Sequence, residues 1–134
     1  MASRCGSVDA QLAPWCDELW DGIEIVRLRV QHAAELYRSI LAYAGGDAPG
    51  AQTFLTQASA TTATAATVVA RREAQYRFDV TTLTSHYANP TIYAYGYLRQ
   101  AHTQCYFHRR EDQVQSILQT GAAPLVFNLE SCDN

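Results

Sequence analysis

The chain contains no lysine, and all ten of its basic residues are arginine. Two explanations stay open: GC-rich coding, which we favour because composition is a weak functional signal, and selection against lysine modification or conjugation. Arginine also makes flat, bidentate contacts that lysine cannot make. A lysine-free surface is therefore compatible with a protein interface but does not establish one.

An excess of positive charge is also missing. Ten basic residues stand against 13 acidic ones, and the formal net charge is −3. Such a chain has no overall field that would attract nucleic acid or an anionic membrane surface. We therefore predict that neither nucleic acid nor a membrane is a partner.

Long apolar runs and clustered cysteines are absent as well. The uncharged stretch 48–70 has the length of a membrane span, but its two glutamines and seven serine or threonine residues make it too polar. The N-terminus lacks the apolar core of a secretory signal. The four cysteines are too dispersed for a disulfide scaffold: Cys5, Cys16, Cys105 and Cys132. These absences predict a cytoplasmic protein with free thiols.

Recognisable catalytic motifs are missing too. The sequence has no GxSxG, no glycine-rich phosphate loop and no HExxH. Cys105 has His102 and His108 nearby, but the histidine of a catalytic cysteine is usually distant in sequence. The sequence thus favours a protein without catalytic activity or cofactor, and an enzyme that uses these three residues is a third hypothesis.

What the chain does contain is a long helical pattern. At 134 residues with 48% hydrophobic content, it fits a single domain, 1–134, that buries about 68% of its unfolded surface. Apolar residues recur three and four positions apart, as in an a/d seam: Cys16, Leu19, Ile23, Val26, Val30, Ala33, Tyr37, Ile40 and Ala44. With Pro14 at the start and Gly45-Gly46 at the end, this predicts a helix over 14–44.

Two further helices are predicted, over 51–77 and 90–119. The first is rich in alanine and threonine, whose small side chains allow a close helix neighbour. The second begins at Asn89-Pro90, an N-cap followed by a first-turn proline, and stops at Gly121. The fold class is therefore all-α, an up-down-up bundle of three long helices with an extended C-terminal tail. A seam this long on a small chain is coiled-coil-like and predicts self-association.

A metal site is the main alternative hypothesis. His102, Cys105 and His108 are spaced by three residues, so successive side chains drift about 60° around a helix. The two histidines end about 120° and ~9 Å apart, too far for one ion. These residues are weak candidates for a metal or small-molecule ligand, and no metal site is favoured.

Two HxxE pairs sharpen this alternative. If the first and third helices run parallel, His32 and His108 share a level, as do Glu35 and Glu111. This arrangement is similar to the carboxylate–histidine pairs of ferritin-like di-iron bundles, in reversed order. However, the heptad places His32 and Glu35 outward, and residues 108–113 are polar on every side of the turn. The prediction is a surface that is solvated or meets a polar partner.

Six of the eight tyrosines fall between residues 76 and 106. Tyrosine suits interfaces and pockets because it joins a large apolar area to a hydroxyl, although these tyrosines could also close a thin bundle. With neighbouring arginines they form the predicted partner-binding surface: Tyr93, Tyr95, Tyr97, Arg99, Tyr106, Arg109 and Arg110. The leading prediction is a non-enzymatic protein–protein interaction module, a self-associating component of a larger assembly.

Overall fold

A computed structural model describes residues 5–74 and 100–122, and these residues form three helices and no strand. The helices are α1 (Ala13–Ala44), α2 (Ala48–Glu73) and α3 (Gln100–Thr120). The predicted all-α fold is confirmed. In the described part of the chain, no helix combines the length and the apolarity that crossing a membrane requires.

The first helix ends where the sequence predicts. The Gly46 N–H donates to the Tyr43 carbonyl and the Asp47 N–H donates to the Ala42 carbonyl, both over 2.9 Å. These two bonds form a Schellman motif. Gly46 has a φ of +82°, a left-handed conformation that strains any residue with a Cβ.

The second helix starts three residues before the predicted position. The Asp47 carboxylate accepts a 2.9 Å hydrogen bond from the Gly50 N–H, which satisfies one of the free N–H groups of the first turn. Pro49 lies in that turn, where it needs no donor. The sequence Asp47-Ala48-Pro49 therefore carries a helix start signal, which the predicted start at residue 51 did not take into account. α2 also ends earlier, at Glu73 in place of residue 77.

The third helix ends as predicted. Gly121 adopts a φ of +72°, and its N–H donates to the Ile117 carbonyl over 2.9 Å. The predicted start at Asn89-Pro90 and the predicted extended tail lie outside the described residues.

The packing order shows the up-down-up topology. One apolar cluster lies toward the start of α1: Ile25, Leu28, Ala65, Val68, Val69 and Phe107. A second lies toward its end: Leu36, Leu55, Ala58 and Val114, with Ile40 and Leu118 against them. From the first cluster to the second, residue numbers rise in α1 and α3 and fall in α2. Hence α2 is antiparallel to α1, and α3 is parallel to it.

Ion pairs join the end of α2 to the start of α1. Arg71 pairs with Asp21, and Arg72 pairs with Glu18 over 2.8 Å. At the opposite end, the Ser39 hydroxyl donates to the Ala51 carbonyl over 2.8 Å. The α1–α2 hairpin is thus held at both ends by polar contacts.

The prediction of free thiols is wrong for two cysteines. Cys5 and Cys16 form a disulfide with a Cα–Cα distance of 6.1 Å, within the usual range. The turn that follows Cys5 returns the chain to the start of α1, since Val8 N–H donates to the Cys5 carbonyl. The spacing of eleven residues carried no motif that would have marked this pair.

Candidate functional site

The apolar face of α1 points away from α2 and α3. Seven large side chains on it are between 50% and 72% exposed: Trp15, Leu19, Ile23, Val26, Val30, Tyr37 and Leu41. At 100° per residue, all seven lie within a sector of about 80°. We call these seven residues the α1 stripe. The predicted apolar seam is real, but it is a surface.

The opposite face of α1 is buried, and it is largely polar. Its buried residues are Asp21, Ile25, Leu28, His32, Glu35, Leu36 and Ser39. The prediction that His32 and Glu35 point outward is therefore wrong. Periodicity locates an apolar face but cannot say which face the neighbouring helices cover. The neighbours here supply hydrogen-bond partners for the polar face.

A histidine–carboxylate pair joins α1 to α3 between the two apolar clusters. His32 Nε2 lies 3.1 Å from Glu111 Oε1, and the residues are 2% and 9% exposed. From α2, the Thr62 hydroxyl donates to the same carboxylate oxygen, and the Ser59 hydroxyl donates to Oε2 over 2.8 Å. The burial of Glu111 corrects the prediction of a solvated surface at this residue, whereas His108, Arg110 and Asp112 are exposed as predicted.

The surroundings of Glu111 keep its carboxylate ionised. Burial raises the pKa of this group, but the hydrogen bonds from His32, Thr62 and Ser59 outweigh that effect and lower the pKa from its ordinary value. An ionised carboxylate only accepts hydrogen bonds, so His32 Nε2 is the donor in this pair. The His32 ring also packs edge-to-face on Phe107, with centroids 4.6 Å apart.

Glu35 is a second buried carboxylate, and its hydrogen-bond donors come from α1 and α2. The Thr61 hydroxyl donates to its Oε2 over 2.7 Å, and the Gln31 amide donates to its Oε1 over 2.8 Å. Both carboxylates therefore have protein donors on each of their oxygens. We define the polar layer as Gln31, His32, Glu35, Ser59, Thr61, Thr62 and Glu111. Its chemistry is that of a satisfied internal network that fixes helix register.

The predicted metal candidates do not converge in the described structure. His102 and Cys105 belong to α3, but their side chains lie outside the description. The His108 side chain is 58% exposed, and its Nδ1 is 3.9 Å from Glu111 Oε2. Among the side chains described in 5–74 and 100–122, no three histidine, cysteine, aspartate or glutamate residues are grouped to hold an ion. The alternative that involves His102 and Cys105 stays a prediction.

The structure describes only part of the predicted partner-binding surface. Tyr93, Tyr95, Tyr97 and Arg99 lie outside the described residues, and Tyr106 is described only as a member of α3. Arg109 is half-buried and Arg110 is exposed. The α1 stripe shares five residues with the predicted seam and adds Trp15 and Leu41, which were not part of that prediction.

Arginines border the α1 stripe on both sides. Arg27, Arg29 and Arg38 are all exposed, and Arg27 is held by Glu24, with Nε 2.9 Å from Oε2. The acidic Glu18 and Asp21 pair with α2 instead. The site is therefore a hydrocarbon strip with basic margins. No family model, curated protein or solved structure matches this chain.

Proposed function

We propose that this protein is a non-enzymatic helical interaction module that self-associates through the α1 stripe, as a component of a larger assembly. The occupant of the stripe is a second copy of the chain. The observation that carries the proposal is the exposure of seven large apolar side chains on one face of one helix.

The size of the stripe supports an interface. Its side chains present on the order of 800 Å² of surface, given that a fully exposed aromatic residue contributes about 200 Å². The largest apolar patch of a typical monomer is about 300–600 Å². A stable complex takes about 800 Å² from each partner. The stripe therefore exceeds what a monomer usually exposes and matches one side of a standard interface.

The spacing of the stripe supports a helix as its partner, and a copy of α1 in particular. Apolar positions separated by three and four residues from Trp15 to Leu41 fit another helix with the same repeat. A two-fold symmetric interface brings the same patch from both subunits, so the second copy supplies that repeat. Arg109, Arg110 and the tyrosine-rich segment remain proposed contacts for further partners.

The sequence predicts a cytoplasmic location, but the disulfide argues against that prediction. Disulfides persist in oxidising compartments and are rare in reducing ones. The Cys5–Cys16 pair therefore favours an oxidising environment over the cytoplasm. Thiol labelling of protein isolated from its natural host, quenched at once with acid, would show which state the pair occupies.

Light scattering on the purified chain tests self-association. We expect a dimer or larger species at high micromolar concentration. Val26→Glu, in the middle of the stripe, should give a folded monomer, because it buries an unpaired charge in the interface. Thr56→Glu is the matched control, since it adds the same charge to an exposed position of α2 and should leave the assembly intact.

A wild-type chain that stays monomeric at high micromolar concentration would contradict the proposal. So would a Val26→Glu variant that assembles as well as the wild type. Far-ultraviolet circular dichroism of each variant separates loss of assembly from loss of folding.

A further inference from the structure

The margins of the α1 stripe are chemically unequal. Trp20, 49% exposed, and the exposed Arg38 are separated by about five full helical turns. They therefore point in the same direction, on one margin that also carries Arg27. Arg29 lies on the opposite margin, about 160° around the helix from Arg27 when measured across the stripe.

We propose that the second copy packs antiparallel across the α1 stripe, so that Trp20 of each subunit lies against Arg38 of the partner subunit. This inference rests on the proposed self-association and names its geometry. A two-fold axis perpendicular to the helices brings like margins together with their residue order reversed. The stripe runs from Trp15 to Leu41, so its midpoint is residue 28. Trp20 and Arg38 of the partner subunit then differ in height by only about two residues, ~3 Å.

The chemistry of this contact is a cation–π interaction. A guanidinium placed over an indole face is attracted by the quadrupole of the ring, and tryptophan is the best of the aromatic partners. Two such contacts form in each dimer, one on each side of the axis. These contacts also cover Trp20 and Arg38, which lie on the margin of the α1 stripe.

The parallel arrangement lacks the tryptophan–arginine contact, because Trp20 and Arg38 of the partner subunit would then differ in height by ~27 Å. A two-fold axis along the helices brings opposite margins together at equal height, so Arg27 would face Arg29 of the partner subunit at both edges. Like charges at such a contact are destabilising. The antiparallel arrangement has the same number of like-charge contacts, with Arg27 near Arg27 of the partner subunit on one margin and Arg29 near Arg29 of the partner subunit on the other. The two tryptophan–arginine contacts therefore decide between the two arrangements.

A double-mutant cycle on the dimer dissociation constant tests the contact. Within one subunit Trp20 and Arg38 are ~27 Å apart along α1, so any coupling between them arises across the interface. We expect Trp20→Ala and Arg38→Ala each to raise the dimer dissociation constant. The dissociation constant of the double variant should be about three- to tenfold lower than the product of the two single fold-changes predicts. The matched control, Trp20→Ala with Arg29→Ala, should be multiplicative because these residues lie on different margins.

A photo-cross-linker gives a second measurement that does not depend on weakening the dimer. Benzoylphenylalanine in place of the exposed Ala34 should label residues 20–24 of the partner subunit in the antiparallel dimer. Labelling of residues 30–38 of the partner subunit, together with a multiplicative Trp20–Arg38 cycle, would overturn the antiparallel geometry and leave self-association standing.

Two results would overturn both proposals. One is a monomer that gives no cross-link between subunits. The other is a monomer in which the probe labels residues 75–99 or 123–134 of its own chain, since the occupant of the stripe would then be intramolecular.

Discussion

The two faces of α1 reverse the usual distribution of residues. The covered face carries His32 and Glu35 among its aliphatic side chains, while the exposed face carries Leu19, Val26 and Val30. Buried polar groups are tolerated because each has a hydrogen-bond partner. A large exposed apolar face normally marks an interaction site. The difference is that the covered face of α1 packs on α2 and α3 through hydrogen bonds and hydrocarbon, whereas the exposed face offers hydrocarbon to the second helix that we propose.

The largest effect should come from truncating the covered face. Leu28 is 2% exposed and Val30 is 66% exposed, although they are two residues apart. We expect Leu28→Ala to lower the free energy of unfolding by about 3 kcal/mol. Val30→Ala should change it by less than about 0.5 kcal/mol in dilute monomer, while weakening the dimer. Urea unfolding at low concentration and light scattering at high concentration measure the two quantities. Equal losses in dilute monomer would show that the stripe is covered within one chain.

A comparable loss should follow removal of the charge in the polar layer. Glu111→Ala leaves His32 and Ser59 without their acceptor and Thr62 with only the Ala58 carbonyl. Breaking a buried pair in this way costs about 3 kcal/mol. Asp112→Ala is the control, because Asp112 is exposed on the same helix. Urea unfolding would argue against a structural role for the layer if the two variants were equally stable.

A smaller effect on the free energy of unfolding should appear at acidic pH. The pKa of Glu111 is lowered in the folded protein, so its contribution to stability is fully present above the unfolded pKa of about 4.3. That contribution is lost as the pH falls through the lower, folded pKa. Glu111→Gln removes this titration. The difference in unfolding free energy between the wild type and the variant should therefore shrink on acidification, as urea titrations at a series of pH values would show. A constant difference would count against the lowered pKa.

The smallest effects should come from two glycines, one in each helix of the α1–α2 hairpin. An added Cβ at Gly50 would collide with the Asp47 carboxylate, whereas one at Gly22 meets nothing within 4 Å. Gly50→Ala should cost about 1 kcal/mol through loss of the cap. Gly22→Ala should add about 1 kcal/mol through higher helix propensity. Thermal unfolding would reveal the opposite signs, and a destabilised Gly22→Ala would indicate a close contact at that position.

The sequence was sufficient to predict the helices but not to predict which face of α1 is buried. The seam of α1 and its Gly45-Gly46 stop predicted a helix that the structure bounds at Ala13–Ala44. The interior side could not be chosen, because heptad reasoning assumes that the apolar face is the one that neighbouring helices cover. In the structure the neighbouring helices cover the polar face instead, and the hydroxyls of Ser59 and Thr62 donate to Glu111 there. A threonine-rich helix gives no sign in its sequence that its side chains will bind a carboxylate.

The approximate level of the polar layer was predictable, and its burial was not. Parallel first and third helices predicted that His32 is level with His108 and Glu35 with Glu111, whereas in the structure His32 contacts Glu111, three residues further along α3. Their contact required α1 to turn its polar face inward, which no local pattern specifies. Conversely, the Cys5–Cys16 pair depends on a turn before the helix that hydrophobic periodicity does not report.

The turn between α1 and α2 has a practical consequence for protein engineering. Asp47 closes the first helix with its N–H and opens the second with its carboxylate, so one residue serves two helix ends and no spare residue separates them. An inserted tag, a new chain terminus or a lengthened linker at 45–47 would therefore uncouple both helices at once. Fusions intended to report on assembly are better placed elsewhere in the chain.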